Sequence, residues 1–323
     1  MLGVLILFLF TLAPVSYSIL RNTIWINQMY DPVTGFDLDS APHPAPPSWI
    51  QAERLAEDNI HRGDLNRPSY DHLLGTDTLG RDVLAVLLAS TSHSFLVGLS
   101  AAFTTATIGL LLAAYASYYR GWVDLIIGHI SDAFLLLPAP IFMIAVGSFL
   151  RSQSTSLTEI AYNALTGNDL ASSTILITRP LEFGLIYGII AGAGGASLVL
   201  RSYGLKVMSF SFVEAARVAG ANARHIIWGH LIPSMAPIAA VYMLVTVTGA
   251  IVADGFLAFL GLNPDPLNWG TMVYNAITYQ IINNTIPWTA LIAPALTISL
   301  FAAAFYMISR GLQDIVEPRL RKL

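Results

Sequence analysis

The sequence contains no cysteine, which excludes a disulfide framework and a thiolate metal site. Charge is also scarce: Asp, Glu, Lys and Arg make up 11% of the chain, against about 25% in a soluble domain. No basic run offers a footprint for nucleic acid. No His/Asp/Glu set has metal-ligand spacing. A Gly-x-x-x-x-Gly-Lys-Ser/Thr phosphate loop is missing too, so this chain has no means of hydrolysing ATP by itself.

What the chain does have is apolar bulk. Hydrophobic residues make up 55% of it and the mean hydropathy is +0.63. They fall in long blocks, so the solvent they answer to is a bilayer. A spanning helix needs about 20 mostly apolar residues. Residues 2–20, 94–118, 125–150, 181–200, 235–262 and 286–309 meet that requirement. The expected fold class is an all-α membrane protein with about six transmembrane helices. The fourth stretch is the weakest, because Gly184, Gly188, Gly192, Gly194 and Gly195 lower its helix propensity. The same glycines permit close helix packing. The first stretch lacks a basic leader and a small-x-small cleavage site, so it reads as a retained anchor.

Six spans put both termini on one side. The segments sharing that side carry nine basic residues, Arg120, Arg201, Lys206, Arg217, Arg224, Arg310, Arg319, Arg321 and Lys322. Four acids accompany them, Asp124, Glu214, Asp314 and Glu317, whereas the other segments are acidic on balance. Basic residues in short loops mark the cytoplasmic face, so both termini are expected in the cytoplasm. The expected division is a first transmembrane helix at 1–20, an extracytoplasmic segment at 21–93 and a transmembrane core at 94–309. That core holds a cytoplasmic loop at 201–234, and a cytoplasmic tail follows at 310–323. The Pro-rich residues 41–47 should be extended, and 51–60 is a candidate amphipathic helix. Residues 151–180 and 263–285 are expected as further outer loops.

The cytoplasmic loop carries the strongest pattern. Glu214-Ala215-Ala216-Arg217-Val218-Ala219-Gly220 is followed, nine residues on, by His230-Leu231-Ile232-Pro233. Ala, Glu and Arg favour a helix, and Gly220 can end it in a left-handed cap. Pro233 is expected where the chain re-enters the membrane. The resulting short helix has a low-bulk surface at Ala215, Ala216 and Ala219, suited to a partner's groove. Composition alone fits an ordinary amphipathic connector equally well. The spacing is more specific: it resembles the EAA loop of ABC importer permeases, and His230 resembles the dipeptide/oligopeptide/nickel branch of that family.

A second segment, His72-Leu73-Leu74-Gly75-Thr76-Asp77-Thr78-Leu79-Gly80-Arg81-Asp82, resembles the stretch before the second span of C-type permeases in that branch. On its own chemistry it is a turn, with Gly75 and Gly80 around Asp77, and Asp82 placed to cap the following helix. An outer contact surface is the other reading. Further similarity runs through Gly121-Trp122-Val123-Asp124, Phe259-Leu260-Gly261-Leu262, Trp269-Gly270 and Gly311-Leu312-Gln313-Asp314. Three features depart from the family: the basic N-terminal tail is missing, 50–71 reads as an insertion, and 151–180 is long.

The resemblance implies a type I ABC importer permease fold with an extended extracytoplasmic segment after the first helix. It also implies a second homologous permease subunit, two ATP-binding subunits that hold ATP and Mg, and an extracytoplasmic substrate-binding protein. This chain would hold no cofactor and would not be an enzyme. Peptides are the default cargo; nickel chelates, glutathione and oligosaccharides are carried by the same branch. An ion-coupled secondary transporter would show inverted repeats and broken helices, and neither is evident in the sequence. A membrane scaffold would work without ATP. Asp132 and Asp254 lie within spans, where charge is costly and points to function. Asp132 has either a structural role near the membrane face or a substrate contact. Asp254 either lines the pore, facing a substrate amine, or packs near the outer face.

Overall fold

The computed structural model describes residues 1–25, 30–35, 47–49, 72–136, 142–145, 148, 172–262, 265–283 and 288–316. The described residues are almost entirely helical, with one isolated bridge between Thr76 and Asp82. The helices are α1 (Leu2–Thr23), α2 (Val83–Tyr119), α3 (Gly121–Leu136), α4 (Ser172–Ala191), α5 (Ser197–Val207), α6 (Ser211–Val218), α7 (Ala223–Ile226), α8 (Ile232–Phe259), α9 (Trp269–Asn283) and α10 (Trp288–Val316). A π-helical turn at Gly192–Ala196 joins α4 to α5, and another at Ile227–Leu231 joins α7 to α8.

Among the described residues, five helices are long and apolar enough to cross a membrane: Leu2–Thr23, Val83–Tyr119, Thr178–Val207, Ala223–Phe259 and Trp288–Ile315. The expected span at 125–150 begins within α3, and much of its remainder lies outside the described residues. So do 51–60, most of the Pro-rich stretch, and 151–171.

Several expected boundaries move. α2 starts at Val83, well before residue 94, because Asp82 caps it and hydroxyls near that end bond back to the helix backbone. Thr91 Oγ1, for instance, donates to Leu87 O at 3.2 Å. Residues 172–180, expected in a loop, are the first turns of α4. The expected loop at 263–285 holds α9, whose start is capped by Asn268 Oδ1 accepting from Gly270 N at 2.7 Å. The expected tail at 310 is a continuation of α10 as far as Val316.

Pro233 does not mark a break either. It lies in the first turn of α8, within a helix that runs from Ala223 to Phe259. The N–H of Ile232 reaches back five residues to Ile227 O, so the backbone is already widened ahead of the proline, which has no N–H to give.

α2 is the hub. α4 and α5 lie parallel to it: Thr105 Oγ1 donates to Gly188 O at 3.1 Å, and Ser117 Oγ to Arg201 O at 3.2 Å. α8 crosses it antiparallel, with Gly98 against Val247 and Ile251. α10 runs antiparallel to α8, Ser309 Oγ donating to Val241 O at 3.3 Å. α1 rests on α10 through Gly3 against Met307 and Phe10 against Phe301. The molecule therefore has two ends. One carries Arg120, α6 and the end of α10; the other carries Trp25, the 72–82 turn and the start of α9.

The glycines of α4 and of the π-helical turn after it form a tight seam against α2. A Cβ at Gly188 would sit 2.5 Å from the Ala101 carbonyl oxygen and 2.6 Å from Thr104 Cβ, and one at Gly192 3.0 Å from Thr105 O. A Cβ at Gly311 would meet nothing within 4 Å. Gly188→Leu is expected to destabilise the protein by at least the 1–3 kcal/mol or so typical of overpacking. Thermal unfolding in detergent should show a clear loss for Gly188→Leu and none for Gly311→Leu.

Candidate functional site

The residues around α6 fold as their chemistry dictates. After α5, Ser209 N and Phe210 N bond to Lys206 O (3.1 Å) and Val207 O (3.0 Å), turning the chain into α6. One apolar residue, Val213, plugs α6 into a core formed with Val207, Ile226, Leu231 and Met235. Glu214, Ala215 and Ala219 remain exposed, and Ala216 is half-buried. Glu214 lies in the first turn, where a negative charge suits the helix dipole.

At the other end of α6, Gly220 has φ +84°. Gly220 N donates to Arg217 O at 3.0 Å, and Ala221 N to Ala216 O at 3.0 Å. This paired pattern is a Schellman stop. Asn222 Oδ1 then caps α7, accepting from His225 N at 2.9 Å. The candidate helix thus has a fixed start, a fixed stop and a low-bulk outer face.

Some of its supports were not legible beforehand. The Arg217 guanidinium sits 5.7 Å from the Tyr118 ring centroid, tying α6 to the end of α2. His230 belongs to a chain of rings: Phe210–Phe212 at 5.8 Å, Phe212–His230 at 5.9 Å and His230–His225 at 5.4 Å. Val218, Trp228 and Phe212 add exposed apolar surface. Alongside, Arg201 of α5 grips Asp124 of α3 through Nη2 (2.5 Å) and Nε.

The 72–82 segment at the opposite end is a knot. Gly75 and Gly80 both take φ +79°, the left-handed conformation that favours glycine. Asp77 Oδ1 accepts from Leu79 N and Arg81 N, both at 2.9 Å, and Asp77 Oδ2 accepts from Arg81 Nε at 2.8 Å. Arg81 Nη1 reaches Pro32 O at 3.2 Å, pinning residues 30–35 over the turn. Asp82 Oδ1 accepts from Ala85 N at 2.6 Å as the cap of α2, and Asp82 Oδ2 meets His72 Nδ1 at 2.8 Å. Thr76, Asp77, Arg81 and Asp82 are all buried. Their side chains are committed inward; the surface of the turn is Leu73 and Leu79.

Beneath the knot, Asp254 is buried. Its Oδ2 meets His93 Nε2 at 2.9 Å and accepts from Asn268 Nδ2 at 2.7 Å. The other ring nitrogen of His93 faces Asp265 Oδ2 at 3.2 Å, off the hydrogen-bond line. Of the two sequence readings of Asp254, this geometry is the packing one: the carboxylate joins α2, α8 and the start of α9. The sequence reading passed over His93, Asp265 and Asn268, because nothing in a linear pattern says that residues so far apart meet. Asp132, by contrast, is exposed on α3 and has no side-chain partner among the described residues.

The Asp265 carboxyl lies outside the spans. Burial pushes its pKa up, but the neighbouring His93 side chain and the Leu267 N–H pull it further down, to a net lowered value. A lowered folded-state pKa stabilises above the ordinary carboxylate value of about 3.9, and that contribution is lost as pH falls through the lower folded value. The stability gap between the wild type and Asp265→Asn is therefore expected to be widest near neutral pH and to close in acid, as read by melting temperature. His93→Leu removes the side chain that the buried Asp254 and the part-buried Asp265 share. It is expected to cost about 3–5 kcal/mol in the same measurement.

The family model of the binding-protein-dependent transport system inner membrane component matches residues 106–322. A putative peptide transport system permease protein of Brucella suis is 29% identical over 261 residues, 79% of this chain and 76% of that protein. The dipeptide transport system permease protein of Bacillus subtilis is 29% identical over 278 residues, 85% of this chain and 76% of its own. A glutathione transport system permease protein of Escherichia coli is 30% identical over 269 residues, with 82% and 76% covered.

Proposed function

We propose, from the premise that this chain belongs to the family of binding-protein-dependent transport system inner membrane components, that it forms half of the pore of an ATP-driven peptide importer. The chain is a transport subunit and not itself an enzyme. Systems of this family pair the membrane component with a substrate-binding protein and an ATPase. In our reading a second homologous permease completes the pore, and two ATPase subunits bind ATP and Mg. The end carrying α6 and both termini faces the cytoplasm, and the knotted end meets the binding protein. Di- and oligopeptides are the cargo favoured by the names of the relatives; glutathione, itself a peptide, falls in the same chemical class.

The observation that carries this reading is α6 itself. It is exposed, capped at its stop, anchored by Val213, and sits between two spanning helices. A helix built this way passes a push from a docked ATPase to α5 on one side and α8 on the other. Closure of the ATPase dimer moves α6, and the spans switch between inward- and outward-facing states. Glu214, Ala215, Ala216, Ala219 and Gly220 form the docking surface; His230 and Pro233 shape the helix behind it.

The test uses the assembled complex in vesicles with its binding protein. Gly220→Pro removes the left-handed stop and Glu214→Lys reverses the charge of the first turn. Both variants are expected to insert at wild-type levels and to reduce ATP-dependent peptide uptake to background. Wild-type uptake by both would overturn the coupling role. A native complex without a P-loop ATPase would overturn the importer reading as a whole.

A further inference from the structure

α3 presents a polar residue where a lipid-facing helix should not. Its buried side carries Ile127 and Ser131, and Ser131 Oγ hydrogen-bonds Ser197 Oγ at 2.8 Å. Leu125, His129, Asp132 and Leu136, spaced i, i+4, i+7 and i+11, share the side turned away from that stripe. All four are exposed. His129 Nδ1 is bound to Leu125 O at 2.7 Å, which leaves its Nε2 directed to the surroundings.

Depth sharpens the problem. Asp124, two helical turns earlier on α3, is joined to Arg201 in a part-exposed ion pair near the α6 end. Asp132 lies about 12 Å further along the axis. The hydrocarbon layer is about 30 Å thick, so a helix that enters it near Asp124 carries Asp132 inside it. A carboxylate at that depth, facing lipid, is among the costliest placements a bilayer protein can make. Asp254, another acid within a span, resolves the same difficulty by pairing with His93 and Asn268. Asp132 has no such partner among the described residues. The face that carries it suits water or a polar solute better than acyl chains.

We infer that Asp132 lines the aqueous translocation path and takes the protonated amino group of the passing substrate, with His129 beside it on the same wall. This rests on the importer reading above and adds the substrate group that is recognised. A peptide carries one such amine at its N-terminus whatever its side chains are. A single carboxylate in the path thus offers a contact common to the whole class, independent of sequence.

Two measurements test this. The chain contains no cysteine, so Asp132→Cys supplies its only thiol. In the assembled complex in vesicles, a charged, membrane-impermeant methanethiosulfonate should label Asp132→Cys on this chain much faster than Ile126→Cys or Leu135→Cys on the flanks of α3. Equal rates would overturn the path assignment. Uptake then reads the amine contact. Asp132→Asn is expected to raise KM for a free dipeptide about tenfold, the loss of one charge-assisted hydrogen bond. It should leave KM for the N-acetylated dipeptide unchanged, and Asp132→Glu should restore the first value. The same change for both peptides, or none for either, would overturn the amine contact. If the wild type takes up neither peptide, the cargo reading and the amine contact fail together, while the labelling rates still decide the path.

Discussion

Two helix backbones touch only where no side chain stands between them. α2 and α4 meet on that condition along Gly184, Gly188 and Gly192. In lipid there is little hydrophobic drive between helices, because the acyl chains are as apolar as leucine. Close packing and interhelical hydrogen bonds such as Thr105 to Gly188 O must hold the pair instead. Much else follows from that seam. It aligns α5 with the end of α2, where Ser117 and Arg201 meet, and Arg201 in turn holds α3 through Asp124. α8 takes the other side of α2, and α10 and α9 are built upon α8.

Two π-helical turns flank the segment that carries α6. Gly192–Ala196 precedes α5, and Ile227–Leu231 follows α7, so both bracket the segment that presents α6. Such turns are weak points in the hydrogen-bond ladder and often sit at functional sites. Here they let the chain change direction without breaking either span. Gly194, at φ −83° and ψ −108°, shows how far the first departs from helix.

Local chemistry was legible in the sequence, and distant pairing was not. The Gly220 stop, the Asp82 cap and the Gly75/Gly80 turn were readable because each is decided within a few residues. Close packing by the α4 glycines was readable for the same reason, since the absence of a side chain is itself the signal. His93 fell at the end of the expected extracytoplasmic segment 21–93. It is an interior residue of α2, made tolerable by Asp254, Asp265 and Asn268 from elements far along the chain. Asp254 and Asp132 look alike on a hydropathy profile, and only the packing separates one that is sealed in from one that is laid open. Trp269 is a third case: it reads as a loop aromatic, yet it is buried against Phe301 and donates to Leu87 O at 3.0 Å.

The contact between α1 and α10 bears on how the molecule is made. Gly3 lies under Met307, and the Phe10 and Phe301 rings meet edge to face at 4.8 Å. α1 has few buried residues of its own, so α10 supplies much of its seat. At a synthesis rate of about 5–20 residues per second, some 15–60 s separate the emergence of these two surfaces from the ribosome. Through that interval α1 waits in the bilayer with its docking face in lipid, and the ring of helices closes only when nearly the whole chain has been delivered.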